Sequence, residues 1–380
     1  MNFFKILKFL SEVDKSFDQV PQKEQESILH RFPEPKSDFH RSFFQYKCQR
    51  YFSPWYKNIT LDVISCLSLP IIVFLLFGRG LWVSFKSNIE AIGEFKGIEE
   101  IIPNELKKEY IISNEVWNES LSLKKSDLKF IWKMLLNFPF YPYFILKVVL
   151  KIASYSYLIE TYRPKAMIVH GEYSYSSSIL TYYCEENNIK HINTMHGEKI
   201  YYIGYSFFRY SKCYIWDEHY EELLKSLRAY PNQFIIAIPP ALKIDNESNY
   251  SDQAYADVKY YLQIFNETKL MQIIDSMKGF ERMGLKVVYR PHPRFSDIKL
   301  LEKYVSSSQI ENPQEVSILT SVASSKYAIG YCSTVLYQAY LAGKKVILDD
   351  VAYKIENAKL AEYKYILSNK SDVQILSLLI

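Results

Sequence analysis

From Arg163 onward the chain alternates short apolar runs with longer amphipathic ones. Ala166-Met167-Ile168-Val169 follows Pro164 and predicts a strand; a polar turn, a helical stretch over 176–186 and an apolar run over 189–194 come next. Strand, turn, helix and strand in this order are the signature of a parallel α/β sheet. The pattern returns after Pro239-Pro240 and a polar stretch over 245–252 that reads as a surface loop. It then predicts strands over 258–265, 285–289, 327–330 and 345–348, and helices over 269–283, 313–325 and 334–342. Two such sheets in succession predict an α/β protein of two Rossmann-like domains, 1–230 and 231–380, facing a central cleft.

The first 150 residues are less regular, with helix-like periodicity over 2–13 and 126–137. The segment 1–10 is broken by Lys5 and Lys8 and soon meets Glu12 and Asp14, so it reads as an amphipathic helix and not as a secretory signal. The most apolar stretch, 62–79, is interrupted by Ser65, Ser68, Pro70 and Gly78. It falls short of the roughly 20 residues that a spanning helix needs and is expected to be a buried helix or strand. In 130–152, Lys133, Lys147 and Lys151 are set among Trp132, Phe138, Phe140, Tyr141, Tyr143 and Phe144. That mixture suits a membrane interface or a packed core, and both readings stay open.

With 46 basic against 42 acidic residues the net charge is only +4, too weak for a nucleic-acid partner. Five cysteines, Cys48, Cys66, Cys184, Cys213 and Cys332, are scattered singly, which points to the reducing cytoplasm and away from zinc or a disulfide framework. Aromatic residues reach 16%, most of them tyrosine, a composition that suits sugar or headgroup contacts and that codon bias would also produce.

Three loops carry candidate chemistry. Arg290-Pro291-His292-Pro293-Arg294 directly follows an expected strand, where ligands of open parallel sheets bind; an imidazole between two arginines, stiffened by prolines, makes an anion site. Ser333-Thr334 opens the next expected helix, where hydroxyls and free N–H groups receive a phosphate or simply cap the helix. His170-Gly171-Glu172 and His196-Gly197-Glu198 each end an expected strand of the first sheet, so that a general base is sought among Glu198, His196, Glu172 and His170. The seven histidines show no metal-binding spacing, Asp349-Asp350 should point to opposite faces of a strand, and no P-loop or G-x-G-x-x-G follows a strand. Metal-independent chemistry is expected, with no cofactor.

These motifs, together with Gln338-Ala339 and Gly343-Lys344-Lys345-Val346-Ile347, resemble those of bacterial CMP-sugar-dependent glycosyltransferases of GT-B architecture. The likeness is to sialyltransferases and polysialyltransferases with HP and Ser/Thr motifs, and to Kdo transferases and CDP-glycerol glycerophosphotransferases; it covers about 163–350. It implies an acceptor-binding N-terminal domain and a nucleotide-sugar-binding C-terminal domain. In it His292 would contact the donor phosphate and assist departure of CMP, with Arg290, Pro293, Arg294, Ser333 and Thr334 around it. The base of sialyltransferases is commonly acidic in a D/E-D-G motif, whereas here the acid follows His-Gly, with the Glu198 loop the first choice. The implied activity is inverting transfer of sialic acid, or a related nonulosonic sugar, from a CMP donor to a surface glycan or lipid-linked oligosaccharide (O-antigen, lipooligosaccharide or capsule). The cytosolic face of the inner membrane would be the workplace. A glycerophosphotransferase, a Kdo transferase and a non-catalytic scaffold subunit are the alternatives.

Overall fold

The computed structural model describes residues 19–94, 98–117, 120–244 and 256–380, together with Leu10 and Glu12. Apart from those two residues, the expected helix over 2–13 lies outside the described residues, as does the loop over 245–252. The chain forms two compact units, Met1–His196 with Tyr202–Pro240, and Gly197–Tyr201 with Ala241–Ile380. The expected boundary at 230 therefore moves to 240. The reason is that Phe234–Ile236 pairs in parallel with Lys212–Ile215 and completes the first sheet.

In the first unit α1 (Gln22–His30), α2 (Asp38–Arg50) and α3 (Trp55–Gly80) precede β1 (Ala91–Gly93), α4 (Asn104–Glu109) and β2 (Ile112–Ser113). Then come α5 (Lys125–Asn137), α6 (Pro142–Tyr162), β3 (Ala166–Val169), α7 (Ser177–Glu186), β4 (Lys190–Thr194), β5 (Lys212–Ile215), α8 (Glu218–Ser226) and β6 (Phe234–Ile236). The strands form a parallel sheet in the order β2-β1-β3-β4-β5-β6. Ala91, Ala166, Ile168, Ile192 and Tyr214 pack its core with Ile98 and Leu106. The side chain of Ser37 caps α2 by accepting the His40 N–H. The buried face of α2 sends Gln45 and Gln49 to the Gly204 carbonyl, 3.0 and 2.9 Å away. Gln45 also donates to the Glu172 carbonyl at 2.9 Å, which ties down the loop after β3.

The second unit runs β7 (Ala256–Tyr261), α9 (Glu267–Arg282), β8 (Val287–Arg290), α10 (Ile298–Glu302), α11 (Ile318–Ala323), β9 (Ser325–Gly330), α12 (Thr334–Leu341), β10 (Lys345–Leu348), α13 (Lys354–Glu362) and β11 (Gln374–Ile375). Its parallel sheet has the order β11-β10-β9-β7-β8. The fold class expected from the sequence is thus found, α/β with two parallel Rossmann-like sheets. The helix expected over 313–325 shortens to α11, because Ser317 caps it and the strand has begun by Ser325. The strand expected over 258–265 starts earlier and ends at Tyr261. Asp349 and Asp350 do diverge: Asp349 is buried and accepts the Val351 and Ala352 N–H groups, while Asp350 bonds Ser377.

The apolar stretch 62–79 is helical, as α3, but it is not buried. Its inner stripe Lys57, Leu61, Ser65, Leu69 and Leu76 faces the protein, while Leu67 and Phe74 are 73% and 75% exposed. The stretch 130–152 divides. Phe138 stacks on Phe43 at 4.5 Å and Phe144 is fully buried, whereas Trp132, Leu136 and Phe140 are exposed and Lys133 lies over the rings of Phe39 and Tyr182. By length and composition α3 and α6 could each cross a membrane, yet α6 is mostly buried in its own unit.

Candidate functional site

An open parallel sheet leaves a crevice beyond the carboxyl ends of its strands, where successive connections depart to opposite sides of one strand. In the second unit that strand is β7, with β8 on one edge and β9 on the other. A cavity of 230 Å³ lies there, lined by Leu262 and Gln263 beyond β7, Pro291 and His292 beyond β8, and Ser333 and Val335 at the start of α12.

His292 is held on three sides. Its N–H donates to Ser296 Oγ at 2.8 Å, its Nδ1 accepts the Arg294 N–H at 3.1 Å, and its ring stacks on Phe295 at 4.5 Å. With Nδ1 accepting, the neutral ring carries its proton on Nε2. Burial and the Arg294 charge both lower the pKa, so the neutral form, an Nε2–H donor, is favoured. Ser333 is the N-cap of α12 and accepts the Val335 N–H at 3.4 Å. Thr334 is the first helical residue, half-buried, and does not line the cavity. Pro293 lines the cavity and Arg294 is exposed beside it.

Arg290 departs from expectation. It is only 7% exposed, and its guanidinium donates to Glu311 at 2.6 Å and to the Val316 carbonyl at 2.8 Å. Glu311 also takes the buried ammonium of Lys259. Arg290 therefore braces the wall of the cavity, with its charge already paired. The expected base Glu198 is displaced as well, because Gly197–Tyr201 belongs to the second unit, where the Tyr201 N–H reaches the Tyr363 carbonyl at 2.6 Å. Burial, and then the Glu198 carboxylate, pushes the Cys332 thiol up to about 12, which puts Glu198 beside the loop that leads into α12.

In the first unit the divergence falls at β1, flanked by β2 and β3. Glu94 follows β1 directly, and its N–H bonds the Ile168 carbonyl at 3.0 Å. That register sets its carboxylate beside the end of β3, with Oε2 3.1 Å from His170 Nδ1. Burial opposes the charge on Glu94, but the His170 hydrogen bond and the Lys151 charge outweigh it and hold the pKa below the usual value. This contact orients the His170 ring from its Nδ1 side. The exposed His196 ring stands edge-on to His170, 5.6 Å between centroids. Glu172 is no candidate for the base: it is 3% exposed, and its carboxylate accepts from Asn193, whose Oδ1 in turn holds the Gly171 N–H.

Sequence reasoning thus missed Glu94 and Glu311. Glu94 had a signal, a short apolar run ending in Gly-Glu, but the strand is only three residues long and stands in the region whose periodicity is weakest. Glu311 sits in a loop, where residue type alone gives no sign of a buried partner.

No family model matches the chain, and no curated protein matches it. Among solved structures it is similar to the wall teichoic acid polymerase TagF. In one such structure the identity is 8% over 85% of this chain and 86% of that one, with a TM-score of 0.44. In another it is 10% over 59% of this chain, with a TM-score of 0.38, and there the chain spans only 63% of the polymerase. It is also similar to UDP-N-acetylglucosamine 2-epimerase from Rickettsia bellii, at 11% identity over 70% of this chain and 79% of that one, with a TM-score of 0.41. Likeness to the lipopolysaccharide outer core galactosyltransferase WaaB is 12% over 70% of this chain and 81% of that one, with a TM-score of 0.35. At identities this low the chemistry rests on the chain's own side chains.

Proposed function

We propose that this protein is a metal-independent, inverting glycosyltransferase that moves a sialic acid or related nonulosonic sugar from a CMP donor to a surface-glycan or lipid-linked acceptor. The observation that carries the reading is the placement of the two polar clusters. His292 with Ser333 and the α12 N-terminus lies at the divergence point of one sheet, and His170 with Glu94 lies at that of the other.

In the second unit the donor phosphate would receive the His292 Nε2–H and the N-terminal N–H groups of α12. In the first, His170 Nε2 would take the proton of the acceptor hydroxyl, with Glu94 stabilising the imidazolium. The acceptor oxygen forms its bond to the anomeric carbon as the bond from that carbon to the phosphate oxygen breaks. CMP leaves with the electron pair, its charge met by the hydrogen-bond donors around it.

A second reading, CDP-glycerol glycerophosphotransfer, is favoured by one feature: the base is a His–Glu pair, while Glu172 and Glu198 are placed elsewhere. Titration calorimetry with CMP, CDP, UDP and GDP, with and without EDTA, tests both. Selective cytidine-nucleotide binding, indifferent to EDTA and lost in His292→Ala, is expected. Turnover of CMP-sialic acid then separates the first reading from turnover of CDP-glycerol. Preference for UDP or GDP, or no nucleotide binding, would overturn both and leave a scaffold subunit.

A further inference from the structure

The outer stripe of α3 repeats with helical spacing: Ile59, Val63, Leu67, Ile71, Phe74 and Leu75 are all exposed. At 1.5 Å per residue it is about 25 Å long. Its sole charge between Lys57 and Arg79 is Asp62, which accepts the Tyr143 N–H at 3.0 Å. The stripe is part of a fixed surface. Leu76 accepts the Leu123 N–H at 3.0 Å, and the backbone at Gly80 passes so near Leu123 that a Cβ there would stand 2.0 Å from its carbonyl oxygen. Trp55 marks one end of the stripe, and Trp82, 88% exposed, lies just past the other.

At the Trp82 end there is a cavity of 280 Å³ lined by Arg79, Trp82, Ser84, Lys86, Tyr157 and Thr161, among others. Arg79 and Lys86 are exposed, and neither is paired with an acidic side chain among the described residues. Thr161 is fully buried, and its hydroxyl has no hydrogen-bond partner among the described residues. Two cations and several hydroxyls around a pocket match a phosphate diester; an apolar stripe running from that pocket matches acyl chains, with tryptophans at the depth they prefer.

We infer that α3 docks this protein on an anionic phospholipid bilayer, lying in the plane of the interface, with the Arg79–Lys86 pocket receiving a lipid headgroup phosphate. The helix does not span: its inner stripe from Lys57 to Leu76 is packed on its own unit, and α6 runs beside it. A surface helix with one face on protein and the other apolar, ending in cations, has the geometry of monotopic binding. The inference stands apart from the donor chemistry, and it uses a different surface from the lysine-aromatic stretch singled out in the sequence.

Co-sedimentation with vesicles of phosphatidylcholine alone, and of phosphatidylcholine equimolar with phosphatidylglycerol, tests it. The wild-type chain should bind the anionic vesicles and show a blue shift in tryptophan emission. Arg79→Glu with Lys86→Glu should weaken binding roughly tenfold or more, and Leu67→Glu with Phe74→Glu should abolish it. Both pairs are exposed, and an unchanged thermal melt would show that the variants are folded. Equal binding to neutral vesicles, or equal binding by the Arg79–Lys86 variant, would overturn the headgroup assignment. Absence of vesicle binding would overturn the whole inference. So would a dimer in sedimentation velocity that Leu67→Glu with Phe74→Glu dissolves, since a second copy of the chain would then cover the stripe.

Discussion

In the proposed mechanism His170 would touch the acceptor and Glu94, 3.1 Å from its Nδ1, would position it. Removing the imidazole in His170→Ala should lower turnover by about 10²–10⁴-fold, the usual worth of a general base. Glu94→Gln keeps the size of the side chain but loses the charge that meets the imidazolium; it should lower kcat while leaving KM for the acceptor close to wild type. Calorimetric nucleotide affinity should be unchanged in both, because the cavity with His292 is built from the second unit alone. A rise in KM along with the fall in kcat, or lost nucleotide binding, would mean that these residues only support the fold. Of these candidate groups, His170 and His292 were singled out by the sequence, since each closely follows an apolar run that forms a strand. Glu94 was not, because three residues of strand carry too little periodicity to be recognised.

At the scale of elements, the strand end that holds His292 in place depends on a buried triad. Lys259 on β7 and Arg290 on β8 share Glu311, and the side chains of all three are nearly inaccessible. Deleting the shared anion leaves two buried cations without their counter-ion, held only by the Val316 carbonyl and Ser324 Oγ, so Glu311→Ala should destabilise the second unit by about 3–5 kcal/mol, read as a drop in the urea midpoint. Loss of less than about 1 kcal/mol, the range of exposed pairs, would show that solvent reaches the site. The sequence marks Arg290 as cationic and next to a strand, which suggested a phosphate contact. Only the placement of Glu311, twenty-one residues on, turns it into a brace. α3 teaches the same lesson in reverse, because an apolar run signals burial only if another element arrives to cover it.

At the scale of the whole molecule, acid should act on the first unit through His191. This ring lies inside the sheet on β4, with Tyr155 OH 2.9 Å from Nε2 and Thr181 Oγ1 2.8 Å from Nδ1. Burial lowers its pKa from 6.5 to about 3. The unfolded chain therefore binds a proton below about 6.5 that the folded chain refuses until about 3. Stability should fall across that window by up to about 1.4 kcal/mol per pH unit. Urea midpoints at several pH values should show a shallower slope for His191→Gln, and an unchanged slope would assign the titration to other groups. By itself the sequence determined the two α/β sheets and the loops that follow their strands, because strand periodicity and chain order are local properties. The tertiary structure alone decided which charges remain available: it paired Arg290 with Glu311, buried Glu172 against Asn193, carried Glu198 into the second unit, brought Glu94 to His170 and left α3 uncovered. Those outcomes depend on which residues meet across long stretches of chain, and no local pattern records that.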